Sequence, residues 1–198
     1  MNRHSEVEVK FGAAGVSVAG YHRFIRDTKL TNCAVQDYKV VSGSDTYYRL
    51  GAGVIRYRSD GGGGVLTFKE RKSNGSIMDR VEIDLPFAES VQPRDVVSVL
   101  KHLKAEKLFK IDKVSYIYRT RGIIRGQMYE ATAALYDVKT ASGAVDRYLE
   151  VEVERDNKCS PKLAVLALEE WVSAIKSALT VTGPLNKSLF EIYTQEKH

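Results

Sequence analysis

Glu6-Val7-Glu8-Val9-Lys10 near the start of the chain and Leu149-Glu150-Val151-Glu152-Val153-Glu154 near its end alternate charge and apolar bulk at every step. On a β-strand alternate side chains point to opposite faces, so each stretch has one charged and one apolar face. Val54-Ile55-Arg56-Tyr57-Arg58 repeats the pattern with cations. Lys69 with Arg71, Arg80 with Glu82 and Asp84, and Arg119 with Arg121 have the same two-residue spacing. A single charged face would meet water. Recurrence with mixed sign points instead to charged faces that converge on a cavity, with carboxylates at some positions and cations at many others. Such a cavity suits a metal-bound polyanion.

The remaining stretches read as an α+β protein. A strand spans Ser5 to Phe11, and Val18, Tyr21, Phe24 and Ile25 have helical spacing within Val16 to Leu30. Ala34 to Ser59 holds two or three strands, with turns expected at Ser42-Gly43-Ser44-Asp45 and Gly51-Ala52-Gly53. Further strands are expected over Val65–Lys72, Met78–Leu85, Ile111–Arg121, Gln127–Val138 and Asp146–Arg155. A helix is expected from Pro93 to Leu108, through Val96, Val97, Leu100 and Leu103. Pro161 suits a helix N-terminus, Leu163 to Leu179 is amphipathic, Gly183-Pro184 ends that helix, and Lys187 to Thr194 forms a short last one. About eight strands and four helices in one domain, residues 1–198, is the expectation.

Composition narrows the function classes. The chain of 198 residues is 43% hydrophobic and 28% charged, which fits a globular unit with a sizeable core and argues against disorder. A net charge of +5 favours anionic partners. Cys33 and Cys159 match no metal-ligand spacing and read as free thiols in a reducing compartment. No apolar run approaches a membrane span, and the N-terminus lacks the apolar segment of a signal peptide. A cytoplasmic enzyme or binder, with no membrane partner, is expected.

Several common chemistries are absent. Gly61-Gly62-Gly63-Gly64 is followed by Val65-Leu66-Thr67-Phe68, so the lysine, hydroxyl and helix of a phosphate-cradling loop are missing. A hairpin tip accounts for the tetrad better. No HExxH or GxSxG stretch occurs, and His4, His22, His102 and His198 are scattered. Arg94, Lys101, Lys104, Lys107 and Lys110 read as the solvated face of a helix.

Glu6-x-Glu8-x-Lys10 at the start of a domain resembles the opening signature of the CYTH group, the triphosphate tunnel metalloenzymes. Further elements resemble that family in the same order. They are Asp45-Thr46-Tyr47-Tyr48, Ile55-Arg56-Tyr57-Arg58, Leu66-Thr67-Phe68-Lys69, Asp79-Arg80-Val81-Glu82, Arg119-Thr120-Arg121, Leu135-Tyr136-Asp137-Val138, Glu150-Val151-Glu152 and Lys187-Ser188-Leu189. Arg119 departs from the family's pattern, placing a planar fork where a lysine is usual.

The resemblance implies an eight-stranded antiparallel β-barrel, a tunnel with helices packed outside. It implies a divalent-metal-dependent hydrolase that cleaves the terminal phosphate of inorganic triphosphate, a nucleoside triphosphate or thiamine triphosphate. Glu6, Glu8, Asp137, Glu150 and Glu152 are the implied metal set, and all-oxygen donors favour Mg²⁺ or Mn²⁺. Lys10, Arg56, Arg58, Lys69, Arg80, Arg119 and Arg121 would bind the triphosphate, with Lys10, Glu8 and Glu152 as catalytic groups. A class IV adenylyl cyclase, an RNA 5′-triphosphatase and a non-catalytic polyphosphate-binding module are the alternatives, so the partner is a triphosphate-bearing small molecule or an RNA 5′ end.

Overall fold

Alternation along the strands decides which face each one buries, and the computed structural model places the apolar faces against helices. It describes residues 2–27, 33–51, 53–60, 63–71, 78–88, 90–140, 143–155 and 159–195, of which 2–5, 69–71, 78–81, 155 and 195 are described in their backbone alone. In chain order the elements are β1 (Asn2–Gly12), α1 (Val18–Asp27), β2 (Ala34–Leu50), β3 (Gly53–Ser59), β4 (Gly64–Arg71) and β5 (Met78–Phe87). There follow α2 (Pro93–His102), β6 (Glu106–Ile124), β7 (Gln127–Lys139), β8 (Val145–Arg155), α3 (Pro161–Ala178), β9 (Thr182–Leu185) and α4 (Leu189–Gln195).

All pairings are antiparallel, in the order β5-β4-β3-β2-β6-β7-β8-β1-β9. β1 pairs with β8 over Ser5 to Gly12 and also with β5 over Asn2 to Glu8. The pairing therefore runs from β5 through β4, β3, β2, β6, β7 and β8 to β1, and meets β5 again.

Each helix covers the apolar side of particular strands. On α3, Leu163, Ala164, Ala167, Leu168, Trp171 and Ile175 are buried, and they share one core with Val7, Val9, Val151 and Val153. Ser160 caps that helix by accepting from Leu163 N–H at 3.3 Å, and Pro161 fills the first turn. α1 joins the same core through Tyr21, Phe24 and Ile25, and the Tyr21 hydroxyl donates to the Ala133 carbonyl at 2.8 Å. Val96 and Leu100 of α2 pack on Ile55, Tyr57 and Leu66. α4 sets Leu189 and Tyr193 against Tyr47, Phe109 and Tyr148.

The class is α+β, with nine strands and four helices among the described residues. The count of eight strands falls one short because Thr182–Leu185, expected only to end a helix, adds to β1 through Lys10↔Leu185 and Gly12↔Thr182. Ala34–Ser59 holds two strands, the lower of the two expected counts, and the turn expected at Ser42-Gly43-Ser44-Asp45 is absent, since that stretch stays paired with β6 throughout. Gly43 serves close approach there: a Cβ would stand 2.6 Å from the Ser59 carbonyl. α2 ends at His102 instead of reaching Leu108, since Lys104 turns the chain at φ 58° and β6 begins at Glu106. Lys107 and Lys110 therefore lie on a strand, not around a helix. The hairpin tip expected at Gly61–Gly64 lies partly outside the described residues.

Ile55 is 2% exposed between β3 and α2. Ile55→Ala is expected to cost about 2–5 kcal/mol through the cavity it leaves. Val99→Ala, on the exposed side of the same helix, is expected to change stability by less than about 0.5 kcal/mol. Denaturant unfolding of the two variants checks the difference.

Candidate functional site

The charged faces of the strands line one cavity of about 630 Å³. Glu6 and Glu8 from β1, Glu150, Glu152 and Glu154 from β8, and Glu82 and Asp84 from β5 contribute the acidic side, with Lys10 of β1 set among them. Arg56 and Arg58 from β3, Lys113 and Arg119 from β6 and Lys39 from β2 contribute cations. β1 neighbours β5 and β8, while β2 lies between β3 and β6. Strand order therefore segregates charge: most carboxylates hang from one group of adjacent strands and most cations from the other. Ser188 and Leu189 through Glu191, at the start of α4, line the cavity too. The Ser188 hydroxyl donates to Glu191 at 2.8 Å while Glu191 N–H donates back to it at 3.2 Å, a reciprocal cap that holds this turn.

Register builds the acidic wall. Glu8 stands opposite Glu152 across β1 and β8, Lys10 stands opposite Glu150, and Glu6 stands opposite Glu154. One carboxylate oxygen each from Glu6, Glu8 and Glu152 lies within 4.8 Å of the others. Glu8 is 1% exposed, so this negative charge sits away from outside water. Lys10 offsets part of it, with Nζ 2.6 Å from Glu150 Oε2 and 3.5 Å from Glu8 Oε1. Tyr136 donates its hydroxyl to Glu150 at 3.1 Å. Burial alone would raise the Glu150 carboxyl, but Lys10 beside it keeps it well below the usual carboxylate range. Burial and then the Glu150 charge push the Tyr136 phenol far up, so it stays a donor. Three converging hard oxygens suit Mg²⁺ or Mn²⁺, with water completing the shell, and do not suit a soft-ligand metal.

The cationic wall is held in place from behind. Arg58 donates twice to Asp45, Nε to Oδ1 at 2.8 Å and Nη2 to Oδ2 at 2.9 Å, across the register pair Asp45↔Arg58. This two-bonded fork fixes the guanidinium plane. The Asp45 carboxyl is drawn far below its ordinary value, because Arg58 outweighs the opposing effect of burial. Arg56 Nη2 donates to Thr67 Oγ1 at 3.0 Å, and Thr67 in turn donates to Asp84 Oδ1 at 2.7 Å. Burial and then the neighbouring Asp45 push the Tyr47 phenol up to about 12.

Of the residues expected from the sequence, Glu6, Glu8, Lys10, Arg56, Arg58, Arg119, Glu150 and Glu152 line the cavity together. Asp137 does not join the carboxylates. It lies one position out of phase with Tyr136 and Ala134, on the other side of β7, and pairs with Arg147 at 2.6 and 2.9 Å. Arg121 pairs with Glu130 at 2.6 Å on the exposed end of β6 and β7 and is not a cavity residue. In register Lys69 is opposite Glu82 and Arg80 is opposite Glu6, but both side chains lie outside the described residues.

Lys113 and Lys39 line the cavity and Asp45 anchors Arg58, although none of the three is among the site residues expected from the sequence. Lys113 had a usable signal, since it shares strand parity with Arg119. Asp45 stood within a quoted motif, but its tie to Arg58 depends on the β2–β3 register.

No family model matches the chain, and no curated protein matches it. Among solved structures, the PH1819 protein from Pyrococcus horikoshii OT3 is similar, with a TM-score of 0.61 at 17% identity over 96% of this chain and 99% of that one. The likeness is one of fold. S. pombe Pct1 RNA triphosphatase, in its complex with the Spt5 CTD, aligns over 90% of this chain and 85% of that one with a TM-score of 0.41 and 10% identity.

The Asp45–Arg58 pair generates an acid-stability prediction. A carboxyl depressed by folding contributes stability above its unfolded pKa of about 3.9, and that contribution is lost as pH falls below it. The free energy of unfolding is therefore expected to fall more steeply below pH ~4 in the wild type than in Asp45→Asn. At pH ~7 the variant is expected to be less stable by about 1–3 kcal/mol, the cost of leaving a half-buried charged donor unmatched. Urea titrations at the two pH values check both.

Proposed function

We propose that this chain is a triphosphate tunnel metalloenzyme of the CYTH type, a divalent-metal-dependent hydrolase that removes the terminal phosphate of a triphosphate. In this reading β1 to β8 curl into an eight-stranded tunnel closed where β1 meets β5, and β9 is an addition outside it. The observation that carries the proposal is the two-signed cavity: three converging carboxylates face a set of guanidinium and ammonium groups. An empty anion site would need only the cations. A metal site alone would need only the carboxylates. A metal-bound polyanion uses both.

Glu6, Glu8 and Glu152 would hold the ion, which when bound supplies polarisation of a phosphoryl oxygen and a more acidic water. Glu150, counted in the expected metal set, is better read as the partner that fixes Lys10. Arg56, Arg58 and Arg119 bind the non-bridging oxygens of the phosphate chain. Asp45 and Thr67 hold the first two of these so that little reorganisation accompanies charge movement. Lys10, held between Glu8 and Glu150, sets a positive charge against the phosphate nearest the acidic wall. In the reaction a water oxygen bonds to the terminal phosphorus, the bridging P–O bond breaks, and the electron pair leaves with the diphosphate. Such transfer is catalysed mainly by positioning and charge stabilisation, which this set of side chains provides.

The test is phosphate release from inorganic tripolyphosphate and nucleoside triphosphates with Mg²⁺ or Mn²⁺, alongside a cyclic-nucleotide assay. Release that EDTA abolishes is expected, without cyclic nucleotide. Glu8→Gln and Glu152→Gln are each expected to lower turnover about a hundredfold, or ~2.7 kcal/mol of transition-state stabilisation. Cyclic AMP formed from ATP would move the assignment to the cyclase alternative. Tight binding of tripolyphosphate with no release under any metal would leave only the binding-module alternative.

A further inference from the structure

Lys113 belongs to none of the charged motifs that organise the other strands, yet its ammonium projects into the cavity from β6. Its Nζ lies 3.9 Å from the centre of the Tyr136 ring. That ring leads to the acidic wall, since the Tyr136 hydroxyl is bound to Glu150. The charged groups facing Lys113 are Arg58 and Arg56 from β3, Asp45 from β2 and Glu150 from β8. Asp45 gives both oxygens to Arg58, and Glu150 takes Lys10 and Tyr136 on one oxygen. Among the described residues Lys113 has no carboxylate within ion-pair distance. An aromatic face offsets part of the lost hydration of an ammonium and leaves its three N–H donors largely unmatched. Burial first, and the nearby Arg58 second, lower this lysine to about 8. A counter-anion is the group missing from this geometry.

We propose that Lys113 is a substrate-contacting lysine whose ammonium holds a phosphoryl oxygen at the centre of the cavity, between the arginines of β3 and the carboxylates of β1 and β8. The inference rests on the triphosphate reading and adds to it a contact that the strand motifs omit. A lysine kept only for packing on Tyr136 would lower stability when removed. A lysine kept for an anion costs stability in the empty site, so its removal leaves the melting temperature unchanged or higher.

The first test is calorimetric titration of inorganic tripolyphosphate into the metal-free protein in EDTA, for the wild type, Lys113→Met and Lys113→Arg. A loss of affinity of about tenfold in Lys113→Met is expected, with Lys113→Arg within about threefold of the wild type, because charge is the essential property. Wild-type binding with less than threefold loss in Lys113→Met overturns this inference and leaves the triphosphate reading standing. No binding by the wild type, either in EDTA or with added Mg²⁺, overturns both.

A second test needs no substitution and holds even if a variant fails to fold. Pyridoxal 5′-phosphate is added to the wild type, followed by borohydride, and the labelled lysines are located by mass spectrometry. The Lys113 amine attacks the aldehyde, a C=N bond forms as water leaves, and borohydride delivers hydride to that carbon. Lys113 is expected to be labelled and to be protected by tripolyphosphate, while Lys176, exposed on α3, is labelled regardless. Lys10 has its Nζ 2.6 Å from Glu150 Oε2 and is expected to react less. Labelling of Lys113 that tripolyphosphate leaves undiminished overturns the inference.

Discussion

The strict alternation of side chains on paired strands is the constraint on which the rest depends. Val7, Val9, Val151 and Val153 are buried against α3, so the residues between them have no choice of face. Glu6, Glu8, Glu150 and Glu152 must then point the other way, into the cavity. The hydrophobic energy of the outer face thereby holds like charges together on the inner one. Burying a valine side chain is worth roughly 1.5–3 kcal/mol, so four of them outweigh a considerable electrostatic cost. A register slip of one residue would bury the carboxylates under the helix and expose the valines.

Charge compensation inside the cavity comes from cross-strand pairing instead of distance. Lys10 sits opposite Glu150 in register and two residues along from Glu8, so one ammonium serves carboxylates on two strands. Arg58 is matched to Asp45 in the same way across β2 and β3. Breaking either match leaves a group of one sign among neighbours of that sign, which costs more than an intact pair contributes. The cavity thus holds locally neutralised pairs within two concentrations of opposite charge. Glu6, Glu8 and Glu152 converge on the acidic side, and Lys113 and Arg119 stand on the other.

Much of this was legible in the sequence, because parity is a local property. Arg56 and Arg58 facing the cavity while Ile55 and Tyr57 pack on α2 follows from five consecutive residues. Asp137 shows where local reading ends. It stood in a stretch read for motif content, and one step of phase puts it against Arg147 instead of the carboxylates. Gly43 has the local pattern of a turn, because nearness of Ser59 on β3 is a tertiary fact that no local pattern records. Lys113 shows a different limit. It lies inside the strand expected over Ile111–Arg121, but its neighbours on the same face, Ile111 and Ser115, carry no charge, so no charged i, i+2 pair marks it.

The division of charge between groups of adjacent strands also constrains how a ligand can lie. β1 neighbours both β5 and β8, so carboxylates gather where those three strands meet. The cations of β2, β3 and β6 face them because β2 lies between the other two. A linear polyanion lying along only one wall would leave the other uncompensated: the carboxylates repelling it, or the cations without a partner. A polyanion that spans the two, carrying its own cation at the acidic end, satisfies both walls at once. For such a ligand the charge pattern along its length would decide the fit, because each wall of the cavity accepts only one sign.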